Sequence, residues 1–253
     1  MTTEAQLVSA ANQSYLGSYR TLVKHCPDGE IREADGVFAF ATGLPLSLFN
    51  GCVVVEPAIP SEFGTALDWL AGLGLPHRLW VSEELTTRLG GVAVAHGYQR
   101  GMWPYPGMVL DRASVPPALS AGVSVEPVGE SGLDEYHQVF VAHGRPVELA
   151  RQMFPPAFAA DPDVQLFIGR LDGQAVGTAV AIRTGDVSGV YAVGTLPAAR
   201  RRGVGSALTW AAVAAGRAWG CDTIVLQASE MGFPMYAAMG FRTVVRYTQF
   251  TPA

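Results

Sequence analysis

The segment Val190–Leu208 constrains the fold of this chain more than any other stretch. Its first four residues, Val190–Val193, are mostly β-branched or aromatic, which predicts a strand that ends before Pro197. The alanine-rich stretch Ser206–Trp219 has helical length and is closed by Gly220. The sequence therefore predicts a strand, a turn and a helix in direct succession.

A loop with two glycines and three arginines joins this strand to the helix, in the order Arg200-Arg201-Arg202-Gly203-Val204-Gly205. Glycines let a ligand approach the backbone closely. The first N–H groups of a helix lack internal partners and carry partial positive charge. The loop is therefore suited to hold a pyrophosphate. The alternative is an ordinary turn with solvated arginines, because the spacing matches neither the dinucleotide fingerprint nor the NTPase phosphate loop.

Two later segments favour the first interpretation. A strand is predicted at Thr223–Ala228, and Tyr236-Ala237-Ala238-Met239-Gly240-Phe241 follows it. The order Val-x-x-x-Pro, Arg-x-x-Gly-x-Gly and Tyr-x-x-x-Gly-Phe resembles the GNAT superfamily of acyl-CoA-dependent N-acyltransferases, from about Val123 onward. The resemblance implies an α/β fold with a mixed sheet, the GNAT fold, and acetyl-CoA as cosubstrate without a metal.

The resemblance also assigns residues to acetyl-CoA. The pyrophosphate would lie on the N–H groups at the start of the helix, and the pantetheine amides would pair with the preceding strand. The Val193 N–H would polarise the acyl carbonyl. Ser229 stands where the family commonly has an asparagine, and a serine there can cap the helix or reach the CoA arm. The residues assigned in this way are Tyr191, Val193, Thr195, Arg200, Arg201, Arg202, Gly203, Val204, Gly205, Ser206 and Ser229.

Tyr236 is the predicted catalytic residue, because a tyrosine at this position of the family motif often protonates the leaving thiolate. A phenol with a pKa near ~10 keeps its proton at neutral pH, whereas an alkyl thiol titrates near ~8.5. Tyr236 as an amphipathic core residue, or as a hydrogen-bond donor to sulfur only, is the alternative.

No general base can be assigned. Many relatives use a carboxylate on the central strand, and Val187–Val193 contains none. A water chain or an amine that is already neutral is an equal possibility. The side chains considered as bases are Glu148, Glu230, Asp186, His143 and His137, and those expected to line the substrate pocket are Phe140, His143, Arg145, Met153 and Phe154.

The first half of the chain shows a faint repeat of the second. The predicted order strand, helix, strand, helix ends in His96-Gly97-Tyr98, as the second half ends in Met239-Gly240-Phe241. The first half lacks the arginine–glycine loop and reads Pro57–Glu62 instead. We therefore predict two tandem GNAT-like domains: a degenerate one over 1–115, a linker at 116–122 and an acyl-CoA-binding one over 123–253. Two α/β halves with a common layout are the alternative.

Further elements are predicted from periodicity and turn residues. Helices are expected at 3–24, 61–73, 83–96, 133–143 and 147–158. The uncharged stretch Gly36–Val55 is interrupted by turn residues, so buried strands are expected there and not a membrane span. The predicted strands are 30–42, 46–56, 77–82, 108–110, 123–128, 164–171, 175–183 and final strands up to 250.

Composition narrows the functional classes. A hydrophobic content of 49% with 15% charged residues indicates a globular protein. The net charge of −5 argues against nonspecific nucleic-acid binding and slightly favours a cationic or neutral amine. Cys26, Cys52 and Cys221 have no metal or redox spacing, and no signal peptide is evident, so a cytoplasmic protein is expected.

The expected function is an N-acetyltransferase that transfers an acetyl group from acetyl-CoA to an amine, either a small molecule or an α-amine, in a ternary complex. The alternative is a non-catalytic acyl-CoA-binding regulatory or interaction module, which the missing carboxylate and the degenerate half favour. A nucleotide-binding protein is disfavoured by the motif spacing. The acceptor and the acyl-chain preference are left open, as is the choice between monomer and homodimer.

Overall fold

The computed structural model describes residues 3–142 and 146–253. The first half begins with a long helix whose Thr3 and Gln6 form a capping box. Its helices are α1 (Glu4–Lys24), α2 (Pro60–Gly72) and α3 (Thr86–Ala95), and its strands are β1 (Glu30–Ala34), β2 (Val37–Ala41), β3 (Asn50–Val54), β4 (Arg78–Ser82), β5 (Tyr98–Arg100) and β6 (Tyr105–Leu110).

The second half has a similar alternation of elements. Residues 111–122, which contain the predicted linker, form no helix or strand. The strands are β7 (Val123–Pro127), β8 (Val164–Leu171), β9 (Gln174–Thr184), β10 (Val187–Thr195), β11 (Thr223–Gln227) and β12 (Phe241–Pro252), and the helices are α4 (Leu133–Val141), α5 (Val147–Met153), α6 (Pro156–Ala159), α7 (Val204–Ala218) and α8 (Phe233–Ala238).

The strands of both halves form one mixed sheet, in agreement with the predicted α/β class. Its order is β1-β2-β3-β4-β12-β6-β11-β10-β9-β8-β7, and β5 also pairs with β12. The pairs β3–β4 and β10–β11 are parallel, and the other neighbours are antiparallel. The sheet is therefore continuous across the middle of the chain.

The two halves exchange their last strands at the centre of this sheet. Strand β12 pairs with β4 of the first half, and β6 pairs with β11 of the second half. The exchanged strands also pair with each other, with Leu110 opposite Phe241 and Tyr105 opposite Tyr247. Each half thus completes its sheet with a strand from the other half.

Alternation along the strands sorts the core onto two faces of the sheet. On β4, Leu79 and Val81 pack with residues of α2 and α3, whereas Trp80 packs on the opposite face with Tyr15 of α1. Helix α7 packs against β7–β10 in the second half, and α1 contacts strands of both halves. Helix α1 therefore lies over the junction between the halves.

Several boundaries differ from the sequence predictions. The single strand predicted at 30–42 is a β1–β2 hairpin, because Asp35 and Gly36 both adopt positive φ angles, of 42° and 83°. The helix predicted at 147–158 is divided into α5 and α6 before Pro155-Pro156, where a helix cannot continue. The predicted 83–96 helix starts as a 3₁₀ turn, and the final strands are a single strand, β12.

The uncharged stretch at 36–55 contains β2 and β3, in agreement with its prediction as buried strands. The helices in the described ranges are all too short or too polar to cross a bilayer.

The end of α1 is attached to the second half through Asp161. This carboxylate is 2.8 Å from His25 Nε2 and 2.9 Å from Lys24 Nζ, and its side chain is only 5% exposed. Burial alone would raise the pKa of Asp161, but hydrogen bonds from His25, from the Asp163 N–H and from Lys24 outweigh it and lower the pKa to about 2.

We expect Asp161→Asn to lower the free energy of unfolding by about 2 kcal/mol at pH 7, measured by urea denaturation. Because the folded-state pKa lies below the usual 3.8, the carboxylate stabilises the fold above about pH 4 and loses this effect as the pH falls toward 2. The difference between the two proteins should therefore shrink at pH 3.

Asp163→Asn is the control, because Asp163 forms a more exposed ion pair with Arg183. It should cost less than about 1 kcal/mol. An Asp161→Asn effect that does not change with pH would contradict the role assigned to the carboxylate.

Candidate active site

A gap opens in the sheet where β10 leaves β11. The two strands pair only over Val187–Gly189 and Thr223–Val225, although β10 continues to Thr195. The outer edge of β10 stays paired with β9 as far as Thr195. The last residues of β10 therefore present their inner edge to an open space.

A β-bulge shapes this edge of β10. Tyr191 lies opposite Val180 and Gly194 opposite Thr178, so Ala192 and Val193 together face one residue of β9. Ala192 has a φ of 49°, which is uncommon for a residue other than glycine. Bulges often occur next to active sites, where they redirect the backbone. Here the bulge takes Ala192 and Val193, the predicted carbonyl-binding residue, out of the regular ladder.

The arginine–glycine loop lies immediately after this strand. Gly203 is the N-cap of α7 and has a φ of 86°, a conformation that explains the glycine. No side chain caps α7, and its first turn contains no acidic residue. Arg200, Arg201 and Arg202 are exposed, and within residues 3–142 and 146–253 none of them forms an ion pair. The N-terminus of α7 is therefore open and positively charged.

Gly205 leaves the backbone of α7 bare next to the end of β10. A Cβ atom at this position would lie 3.3 Å from Met235 Sδ and 3.5 Å from Thr195 Oγ1. A side chain would fill the space between α7, α8 and β10. These features fit a pyrophosphate on the N–H groups of α7, and they bring the predicted residues 200–206 next to Thr195.

Two of the predicted cofactor residues have side chains directed elsewhere. The Val204 side chain is buried in the core beneath α7, so only its backbone is available to a ligand. The Tyr191 hydroxyl donates a hydrogen bond of 2.9 Å to the Ser14 carbonyl of α1 and lies 2.8 Å from Ser14 Oγ. Tyr191 therefore connects the strand to the first half.

Tyr236 lies on α8 beside the gap. Its ring packs against Phe241 at 5.9 Å between centroids, and the residue is 8% exposed. Burial, followed by the proximity of Tyr105, raises the pKa of Tyr236 above its usual value near 10. The hydroxyl forms no hydrogen bond with the described residues. Ser229 Oγ accepts a hydrogen bond of 3.2 Å from the Gly232 N–H in the turn before α8, but the N-cap of α8 is Gly232 and Ser229 does not cap the helix.

A cavity of about 460 Å³ extends from the gap to the α1 face of the sheet. It brings together Val193, Thr195, Tyr236 and Ser229 with residues of the first half. None of its lining residues in the described part of the chain is charged or a histidine. The lining residues that sequence analysis did not assign to a site include Tyr15, Tyr19 and Trp80 of the first half, Tyr105 on β6 and Gln227 on β11.

The expected substrate-pocket residues are only partly brought together. Phe140 and Phe154 line the cavity, whereas Met153 is fully buried in the neighbouring core. His143 and Arg145 lie outside the described residues. Of the bases considered, Glu148, Glu230, Asp186 and His137 do not line the cavity.

His137 is a core histidine in this structure. It is 3% exposed, and its Nε2 donates a hydrogen bond of 2.9 Å to the Phe154 carbonyl. Burial lowers the pKa of His137, so the neutral form is favoured. These features assign it a structural role beneath α5.

The first half has no equivalent gap. Strands β3 and β4 pair from Gly51–Arg78 to Val54–Val81, up to the last residue of β3. The loop that follows is covered by the β1–β2 turn, because a Cβ on Gly36 would lie 2.5 Å from the Pro57 carbonyl oxygen. This half therefore lacks the opening, and the first turn of α2 carries Glu62 where that of α7 has no acidic residue.

Comparison with known proteins relates the second half to one family. Residues 133–241 match the model of a family described as the acetyltransferase (GNAT) family. A comparison with curated protein sequences gave no significant match. Within the described residues, no group of three or more His, Cys, Asp or Glu side chains is placed to hold a metal ion.

Solved structures extend the likeness to the whole chain. A GCN5-related N-acetyltransferase from Kribbella flavida has a TM-score of 0.69 at 20% identity, over 96% of this chain and 95% of that one. A tandem GNAT protein from the clavulanic acid biosynthesis pathway has a TM-score of 0.61 at 14% identity, over 99% and 95%. At these identities the likeness shows the fold, which is that of tandem GNAT proteins.

Gln227, a polar residue of the cavity lining, is expected to lower the stability of the fold. Both atoms of its carboxamide are buried, and neither has a hydrogen-bond partner among the described residues. An unsatisfied buried amide destabilises a fold. We therefore expect Gln227→Leu to raise the free energy of unfolding by about 1 kcal/mol in urea denaturation.

Gln165→Leu is the matched control, because Gln165 Nε2 donates a hydrogen bond of 3.1 Å to the Leu166 carbonyl. It should be neutral or destabilising. If both variants lose stability equally, the Gln227 carboxamide is satisfied in solution and our interpretation is wrong.

Proposed function

We propose that this protein is an N-acetyltransferase that transfers an acetyl group from acetyl-CoA to an amine by direct attack in a ternary complex. The observation that carries the proposal is the gap between β10 and β11, because Thr195 at the end of β10 lines the cavity that contains Tyr236 and also lies beside Gly205 at the positively charged start of α7. The match to the acetyltransferase (GNAT) family at 133–241 supports acyl transfer as the general chemistry.

The loop and the bulged strand would hold the cosubstrate. The N–H groups of Gly203–Ser206 and the side chains of Arg200–Arg202 would bind its pyrophosphate, and each charge-assisted hydrogen bond contributes about 1.5–3 kcal/mol. The edge of β10 from Tyr191 to Thr195 would pair with its amides. When bound, the cosubstrate supplies an acetyl group activated as a thioester.

Tyr236 is suited to act as the general acid. Because burial raises its pKa, the phenol keeps its proton at any pH at which an amine can react. Its hydroxyl, which has no partner among the described residues, is free to donate that proton to the departing thiolate. The Val193 N–H, next to the bulge, would polarise the acetyl carbonyl.

A non-catalytic acyl-CoA-binding module remains the second candidate. The observation that favours it is a cavity lining without a carboxylate or imidazole among the described residues, since a protonated amine must lose a proton before it attacks. Release of CoA from acetyl-CoA in the presence of an acceptor would exclude this candidate.

Gly205→Glu tests the phosphate cradle. A carboxylate at the start of α7 would occupy the space of the pyrophosphate and repel it, so acetyl-CoA binding in calorimetry should weaken by at least about 100-fold. Gly205→Gln is the control, because it adds the same volume without the charge and should bind more tightly than the glutamate variant. Equal binding by both variants and the unmodified protein would refute the cradle.

Tyr236→Phe tests the general acid. Removal of the hydroxyl should lower kcat by about 10²–10⁴-fold and change the Kd of acetyl-CoA less than about threefold. Tyr136→Phe is the control, because the Tyr136 hydroxyl is buried and does not line the cavity. A kcat that is unchanged in Tyr236→Phe would remove this residue from the chemistry.

A further inference from the structure

We propose that the acceptor is an uncharged aromatic amine, bound against a wall of rings that the first half supplies. The inference deepens the proposed function and rests on it. It assigns a role to the half of the chain that has no phosphate loop, and it names the class of acceptor.

The charge of the cavity is the first argument. Its lining in the described residues offers tyrosine and serine hydroxyls, two threonines and one carboxamide, but no carboxylate. A protonated alkylamine that enters such a cavity loses its hydration without gaining an opposite charge, which is strongly unfavourable. A neutral acceptor avoids this loss.

The shape of the wall is the second argument. The rings of Tyr19 and Phe40 stack at 3.9 Å between centroids, and Phe40 lies nearly parallel to Trp80, at 16° between ring planes. Two members of this stack, Tyr19 and Trp80, line the cavity, and Tyr15 lines it beside them. Tyr19 is the partly exposed member of this group, whereas Trp80 and Tyr15 are buried beside it, so the Tyr19 ring offers the flat surface that suits a planar ring.

Neutral hydrogen-bonding groups are the third argument. The Gln227 carboxamide, the Trp80 indole N–H and the Tyr15 hydroxyl are buried, and none has a partner among the described residues. All three residues line the cavity. These atoms are closed off from the cavity as the structure stands, so they would meet an amide, carbonyl or hydroxyl substituent on the acceptor ring once their side chains turn toward it.

An aromatic amine also fits the reaction. Its nitrogen is uncharged at neutral pH, so no base has to remove an ammonium proton before attack. The nitrogen forms a bond to the acetyl carbon while the carbon–sulfur bond breaks. Tyr236 gives its proton to the sulfur and regains one from water, and the extra proton on nitrogen leaves to water. The products are the aryl acetamide and the free thiol.

A matched pair of probes tests the acceptor class. 4-Aminobenzamide is neutral at pH 7.5, and 4-(aminomethyl)benzamide carries an ammonium group on a similar frame. We expect the full chain saturated with acetyl-CoA to acetylate the neutral probe, and saturation-transfer NMR with CoA bound to show at least about tenfold tighter binding of that probe. Aromatic faces also attract cations, which favours the ammonium probe, so tighter binding of the neutral probe would be strong support for the proposal.

Two variants localise the binding. Gln227→Leu should weaken binding of the neutral probe by about threefold to tenfold. Gln227→Glu should reverse the preference, because it adds a carboxylate in nearly the same volume. Phe158→Leu, which changes an apolar lining residue contributed by the second half, should keep the preference for the neutral probe.

The outcomes are separable from those of the proposed function. If calorimetry detects no acetyl-CoA binding, the proposed function fails. If acetyl-CoA binds but the cationic probe binds as tightly as the neutral one, or neither probe binds, the acceptor class assigned here is wrong.

Discussion

The antiparallel pairing of β6 with β12 is the interaction on which the rest of the structure depends. It joins two half-sheets into one, because β6 also pairs with β11 and β12 also pairs with β4, each a strand of the other half. Without this pairing, β12 beside β4 and β6 beside β11 would each be an exposed sheet edge, which proteins normally avoid. It also fixes α1 over both halves, and thereby places Tyr15 and Tyr19 opposite the β10–β11 gap.

The second constraint is the early end of the β10–β11 pairing. Parallel strands that remain paired leave no room for a ligand, as β3 and β4 show in the first half. After Gly189 the backbone of β10 is satisfied on one side by β9 only, and the bulge at Ala192 moves the chain further out of register. The open edge of β10 leads directly to the start of α7 and its exposed arginines. A ligand with both amides and an anionic group can therefore bind along β10 and place the anion at α7.

The parts of this site that follow from local sequence could be predicted. A β-branched strand and an alanine-rich helix determine their conformations from residues a few positions apart, and the structure has β10 and α7 where the sequence predicts a strand and a helix, joined by the glycine loop. The β1–β2 hairpin was missed because Asp35-Gly36 sits inside an apparently continuous strand pattern. The aromatic wall could not be predicted. Tyr15 and Tyr19 are four residues apart on α1, which indicates a shared face, but only the strand exchange decides that Tyr236 and Gln227 lie across from it.

The strand exchange also affects how the chain acquires its structure. Strand β4 cannot form its pairing with β12 until the end of synthesis, because β12 follows it by more than 150 residues and is made after every other element of the sheet. During synthesis the first half therefore has an open edge next to β4, and β6 has no sheet neighbour until β11 and β12 emerge. Contacts this distant in sequence form slowly, and unpaired edges are prone to pair with other chains. The two halves thus cannot mature independently, and a nascent first half will depend on protection from self-association until the last strand is in place.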